Sequence, residues 1–316
     1  MTTLMIHPVV VLGEALVDAL PTGAVAGGAP FNVARSLAAI GVAPLLVSRL
    51  GAGMSGQGDA DASLLLASAR SYGLTLAGMQ FDPEHASGRV SVEMRQAEHR
   101  FHIHDDTAWD HLELDAARAA LRHQDPSVIY FGTLAQRSPP SRATIRALVA
   151  QTPATRFLDL NLRGQADERD IAQASLILAD WVKVNDDELA TLLNWFGATG
   201  RGAPAWGSEL HARAVAALIR RFELARLIVT RGAIGYAAFD KDGGCDIVGS
   251  AAPVAHLVDT IGAGDALSAM VLAGLVRGDA LSASLEKANR FAAAVCGIAG
   301  PLPAVADDAF FAPWRA

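Results

Sequence analysis

Cysteine is scarce: Cys245 and Cys296 are the only two in 316 residues. They cannot form a disulfide framework, and their scarcity suits a reducing compartment. Long apolar runs are missing as well, since the longest apolar helical stretch, residues 266–276, falls far short of the roughly 20 residues that span a bilayer. The N-terminal MTTLMIHPVVVLGE has no basic flank and no small-residue cleavage site. It reads as a first buried strand rather than a secretory leader, and the expected location is the cytoplasm. No Lys/Arg block interrupts a chain of formal net charge −7, which excludes a basic nucleic-acid or membrane-binding surface. Two phosphate-binding signatures are absent too. There is no G-x-x-x-x-G-K-[ST] loop, and no G-x-G-x-x-G follows the first strand with an acidic residue about 20 positions on.

What is present is a large apolar fraction, 51% of the chain, enough for a sizeable core. Short apolar runs at 9–12, 45–48, 128–131, 156–160, 181–185, 227–230 and 236–239 read as strands. Helix-length segments at 32–40, 62–72, 116–122, 142–150 and 210–222 lie between several of them. Continuous apolar strands separated by helices predict an α/β fold with a mostly parallel sheet covered on both faces. In such sheets ligands bind beyond the carboxyl ends of the strands, so the polar residues after each strand are where chemistry is expected. Residues 186–204 and 301–316 read as irregular.

One region departs from this pattern. Val90, Val92 and Met94, then Phe101 and Ile103, alternate with polar residues around Gln96-Ala97-Glu98, which predicts a half-exposed antiparallel hairpin. It either protrudes as a lid or dimer contact, or extends the edge of the main sheet. His102 and His104 share one face of it. A zinc site there lacks an evident third ligand, so a polar lid face is the expected role. Trp109, Trp181, Trp195 and Trp206 are expected to pack in cores and under loops.

The sharpest motif is Asp259-Thr-Ile-Gly-Ala-Gly-Asp265, followed by a helical pattern. Gly262 and Gly264 permit a tight turn whose backbone amides converge, and the helix start adds its own unpaired amides and positive dipole end. Asp265 also fits a plain N-cap, but a cap alone does not call for two glycines and a second carboxylate upstream. Gly27-Gly28-Ala-Pro-Phe-Asn32 opens an earlier helix, with Pro30 in its first turn and Gly41 at its end. Gly13-Glu-Ala-Leu-Val-Asp18 follows the first strand, and Asp159-Leu-Asn161-Leu-Arg163 closes another. Lys183-Val-Asn185-Asp-Asp-Glu188 has the spacing of a capping box, and Thr230-Arg-Gly232-Ala-Ile-Gly235 is a glycine turn.

Taken in order from Asp18 to Asn289, these segments resemble the ribokinase-like (PfkB-type) carbohydrate kinases, in particular the fructokinase-like branch. The resemblance implies a ribokinase-like three-layer sandwich with a mostly parallel central sheet and a small β lid. It implies one domain over 1–316, with the lid formed by about 13–28 and 88–105. The implied activity is transfer of the ATP γ-phosphoryl group to a hydroxyl of a small sugar, fructose first. The same family also includes 2-keto-3-deoxygluconate, ribose and nucleoside kinases, and a non-catalytic sugar- or nucleotide-binding homologue is the reading from another class. By this resemblance Asp265 is the general base, and the amides of Gly262, Ala263 and Gly264 neutralise the phosphoryl charge. Asp18, Gly28, Asn32, Arg163 and Phe101 face the sugar, although Arg163 also fits a surface Arg paired with a neighbouring acid. Lys183, Asn185, Thr230, Gly232, Gly235 and Asn289, the last at the head of a helix over 291–298, face the nucleotide. Glu188 and Asn185 hold Mg²⁺ largely through water, and Asp259 matches a K⁺-site residue of some members. A homodimer through the lid is a further expectation. Two departures stand out: the 51–59 loop replaces a Gly-Asp-rich loop, and Gly300-Pro301 replaces the more usual Gly-Ala.

Overall fold

The computed structural model describes residues 7–20, 23–54, 56–95, 98–164, 167–197 and 202–315, with backbone only over 92–101. Thirteen strands among them are β1 (Val9–Leu12), β2 (Leu16–Leu20), β3 (Gly23–Gly27), β4 (Pro44–Gly51), β5 (Met79–Asp82), β6 (Gly88–Arg95), β7 (Glu98–Ile103), β8 (Val128–Gly132), β9 (Thr155–Asp159), β10 (Trp181–Asn185), β11 (Arg226–Thr230), β12 (Gly235–Phe239) and β13 (Cys245–Ser250). The helices are α1 (Ala29–Ala39), α2 (Ala60–Ser71), α3 (Leu114–Leu121), α4 (Pro139–Gln151), α5 (Glu168–Leu178), α6 (Asp186–Phe196), α7 (Glu209–Phe222), α8 (Ala263–Arg277), α9 (Leu281–Val295) and α10 (Asp308–Phe311).

Nine strands form one sheet in the order β13-β12-β11-β10-β9-β8-β1-β4-β5. All its neighbours run parallel except β12 and β13, which pair antiparallel at one edge. Alternate residues of each buried strand enter different cores, as the pleat requires. Val9, Val11 and Tyr130 pack with Phe31, Leu37, Met270 and Phe291 on one face. Val10, Leu12, Phe131 and Val184 pack with Ile145, Leu192 and Leu218 on the other. This is the three-layer arrangement.

The alternating segment does not extend the edge of the large sheet. It joins a separate four-stranded sheet in the order β3-β2-β6-β7, in which β2 runs parallel to β6 and the other pairs are antiparallel. Two further expectations are corrected. Residues 186–196 are helix α6, not loop, because Asn185 and Glu188 form a reciprocal capping box at its start. Near the C-terminal end, residues 308–311 form the short helix α10, because the Asp307 side chain caps it by accepting from Ala309 N.

Candidate active site

The register of the large sheet lines up its carboxyl ends. Leu12 lies beside Phe131, Gly132 beside Asp159, Asp159 beside Lys183, and Asn185 beside Thr230. The chain turns from β1 toward β4 on one side and places β8 on the other, so β1 and β8 flank the topological switch point, where sheets of this kind bind ligands.

Helix α8 begins at that edge. Gly262 is its N-cap, in the left-handed region at φ 78°, and a Cβ there would lie 2.6 Å from Pro301. This close approach is what Gly300-Pro301 does: it seats the turn. Asp265 is therefore not the cap but the third helical residue. Its neighbours in the first turn lack carbonyls four residues back, so their amides and the dipole point out of the helix. Ala263 donates to Thr260 O over a long 3.3 Å. Asp259 steadies the turn by accepting from Ile261 N at 2.7 Å and Gly300 N at 3.1 Å.

Asn32, on buried helix α1, donates from Nδ2 to Asp265 Oδ2 at 2.8 Å. Its own Oδ1 accepts from Arg35 Nη2 at 2.6 Å, and Arg35 also donates to Ala26 O and Ser68 Oγ. The guanidinium thus fixes which way the Asn32 amide faces. Gly28, the α1 N-cap at φ 101°, lies so close to Glu14 that a Cβ would meet its carbonyl oxygen at 2.8 Å. Asp18, on β2, packs against Gly27, where a Cβ would fall 2.2 Å from Oδ2.

Burial shapes the electrostatics. Asp265 is pushed above the ordinary carboxylate range by desolvation, opposed by the Asn32 hydrogen bond and by Lys183 and Arg163, with Asp159 adding to the rise. Asp18 is raised to about 6 by burial, against the pull of Arg163 and Arg35. Glu14, 2% exposed, is raised to about 7 mainly by desolvation. Arg163 is itself exposed, and its backbone amide is held by Glu168. Its charge nevertheless reaches Glu14, Asp18 and Asp265, so it belongs to this cluster rather than to a remote surface pair.

Beneath the α8 turn, buried Asp159 accepts from Lys183 Nζ at 3.0 and 3.2 Å, from Ser268 Oγ at 2.7 Å and from Tyr130 Oη at 3.4 Å. Burial disfavours the Lys183 ammonium, but Asp159, Glu188 and Asp265 outweigh it and raise its pKa. Lys183 Nζ stands 3.0 Å from where a Cβ on Gly264 would lie, so a buried cation underlies the glycine turn. Glu188 accepts from Asn185 N and Leu162 N, both at 2.8 Å. Each carboxylate oxygen keeps a lone pair, and its charge at the strand end fits water-mediated Mg²⁺ binding.

Further along the edge, Gly232 (φ 50°) and Gly235 (φ 128°) bracket a 3-10 turn after Thr230, and the space at Gly232 is open. Asn289 does not head a helix. It lies within α9, where its amide ties down Ser250 O and Ala252 N. The side chain of Phe101 lies outside the described residues. Sequence reading missed Arg35, Ser268 and the depth of Glu14. Arg35 carried a signal, as the one charged residue in a helix otherwise small or apolar apart from Asn32 and Ser36.

The pfkB family carbohydrate kinase model matches residues 13–305. The fructokinase of Escherichia coli is 28% identical over 279 residues, covering 84% of this chain and 83% of that one. The solved structure of Vibrio cholerae O395 fructokinase with fructose, ADP and calcium ion superposes with a TM-score of 0.74 at 23% identity, covering 98% of each chain. An uncharacterized sugar kinase from Pyrococcus horikoshii, in complex with ATP, gives 0.71 at 23% identity over 92% of this chain and 91% of that one. The chain belongs to the pfkB family of carbohydrate kinases, and its chemistry is ATP-dependent phosphoryl transfer to a sugar.

Proposed function

We propose that this kinase phosphorylates a hydroxyl of a small sugar, with fructose the leading acceptor, and that Asp265 is the base that takes the hydroxyl proton. One observation carries the reading: the Asn32 amide and the Asp265 carboxylate, 233 residues apart in sequence, meet at 2.8 Å. The two motifs expected to hold acceptor and phosphoryl group thereby share one hydrogen bond. Asp18, Asn32 and Arg163 would accept from and donate to the sugar hydroxyls, with Gly28 allowing close backbone approach. The amides of Gly262, Ala263 and Gly264, with Lys183 behind them, would offset the charge on the transferring group. Thr230, Gly232, Gly235 and Asn289 would seat the nucleotide. Glu188 and Asn185 would hold Mg²⁺ through water, which supplies charge neutralisation on the phosphates. Asp259 would lend an oxygen to K⁺ beside the turn. The smaller sheet would act as a lid that excludes water, and its outer strands β3 and β7 offer edges through which two copies could pair.

Fructose is favoured by the fructokinase relatives. A coupled ADP-release assay over fructose, ribose, 2-keto-3-deoxygluconate and nucleosides tests the proposal. Fructose should give the highest kcat/KM. A higher value for another acceptor would reassign the substrate, and saturable sugar binding with no ADP release would mark a binding protein instead.

A further inference from the structure

The histidine pair that the sequence brings to notice, His102 and His104, is not the one the fold assembles into a ligand set. His104 Nε2 is engaged with Ser91 Oγ at 3.0 Å. A different pair meets where the smaller sheet joins the large one. His85 lies on the leg entering the β6–β7 hairpin, between β5 and β6, and Asp106 and His111 lie on the leg leaving it, after β7. The two imidazoles stack with centroids 3.7 Å apart and planes 14° from parallel. His111 Nε2 lies 2.8 Å and His85 Nε2 3.7 Å from the same Asp106 Oδ1.

We propose that His85, Asp106 and His111 form a binding site for one late first-row divalent cation, Zn²⁺ being the reference case, that ties both legs of the β6–β7 hairpin to a single point.

Three features support a ligand set over a chance cluster. The three donor atoms lie within 4.8 Å of one another, a spacing that a metal bonded at about 2.0–2.2 Å to each can draw together. His85 is supported from behind: its Nδ1 lies 3.1 Å from Asp82 Oδ2, the carboxylate–imidazole arrangement that orients metal-binding histidines and leaves Nε2 with its lone pair. Asp82 is in turn fixed by the backbone amides of Glu84 and His85 and by Arg49 Nε at 3.1 Å. Asp106 adopts φ 54°, a left-handed conformation unusual outside glycine, and its Oδ1 lies beside the Nε2 edges of both stacked rings. Two imidazoles and one carboxylate select zinc, cobalt, nickel or iron over Mg²⁺ or Ca²⁺, which want all-oxygen shells. Binding turns the rings out of their parallel stack, displaces any proton on the coordinating nitrogens, and leaves the remaining positions to water.

The test is titration of chelator-stripped protein with ZnCl₂ by calorimetry, in a Cys245→Ser background that removes the exposed thiol. One Zn²⁺ per chain is expected, with affinity reduced at least tenfold by His85→Ala and, separately, by His111→Ala, and unchanged by His102→Ala. Circular dichroism melts verify that each variant folds, and Zn²⁺ should raise the melting temperature of the parent more than that of either variant. The proposal is overturned if the parent binds Zn²⁺ no tighter than the His85→Ala/His111→Ala double variant, or if loss follows His102→Ala instead.

Discussion

In its proposed role as base, Asp265 must be ionised to accept a proton, yet burial favours its neutral form, and the Asn32 amide moderates that conflict by donating to the carboxylate. Asp265→Asn should therefore lower turnover about 10²- to 10⁴-fold while leaving ATP binding nearly intact, as measured by ADP release and nucleotide titration. Asn32→Ala removes a donor to the charged form, so the Asp265 carboxyl becomes harder to ionise. The acidic limb of the pH–rate profile should move to higher pH, and a limb that stays in place would show that Asp265 is not the titrating base. Glu14 behaves differently because it is a stability liability. Its pKa rises from 4.5 to about 7 on folding, so the folded chain holds the extra proton between those values. Stability is then lost as pH climbs through that window, by on the order of 3 kcal/mol. Glu14→Gln should melt several degrees above the parent at pH 8, with the gap narrowing toward pH 5.

Among the secondary-structure elements, the start of α8 is tightly constrained. Gly262 combines φ 78° with a contact that leaves no room for Cβ beside Pro301. Gly262→Ala should cost about 2 kcal/mol in thermal melts, and the activity loss should be larger than partial unfolding explains, because the amides of the turn move with it. Helix α6 shows why one element escaped sequence reading. Its first turn is Asp186-Asp187-Glu188, an acidic run that reads as solvated loop but in fact complements the positive end of the helix. Strands β2, β3 and β13 escaped for another reason: half-exposed strands outside the buried centre of a sheet need not be continuous apolar runs.

For the molecule as a whole, the two sheets divide the labour: the large one fixes the edge that carries Asp159, Lys183, Asn185 and Thr230, and the smaller one carries Asp18. If the smaller sheet closes over bound sugar, amide hydrogen exchange in β2, β3, β6 and β7 should slow at saturating fructose while β8 to β10 change little. Unchanged exchange in the smaller sheet would rule out the lid.

The residues alone determined the parallel core, because strands buried on both faces must be apolar throughout, and the α8 turn, because its glycines and aspartates are local in the chain. Only the tertiary structure decided that Arg35 orients Asn32, that Asp159 holds Lys183 and Ser268, and that His85 meets His111. Those pairings depend on how the backbone brings side chains from separate turns and strands together. Their strength comes from desolvation, which is set by what packs around a group and not by its neighbours along the chain.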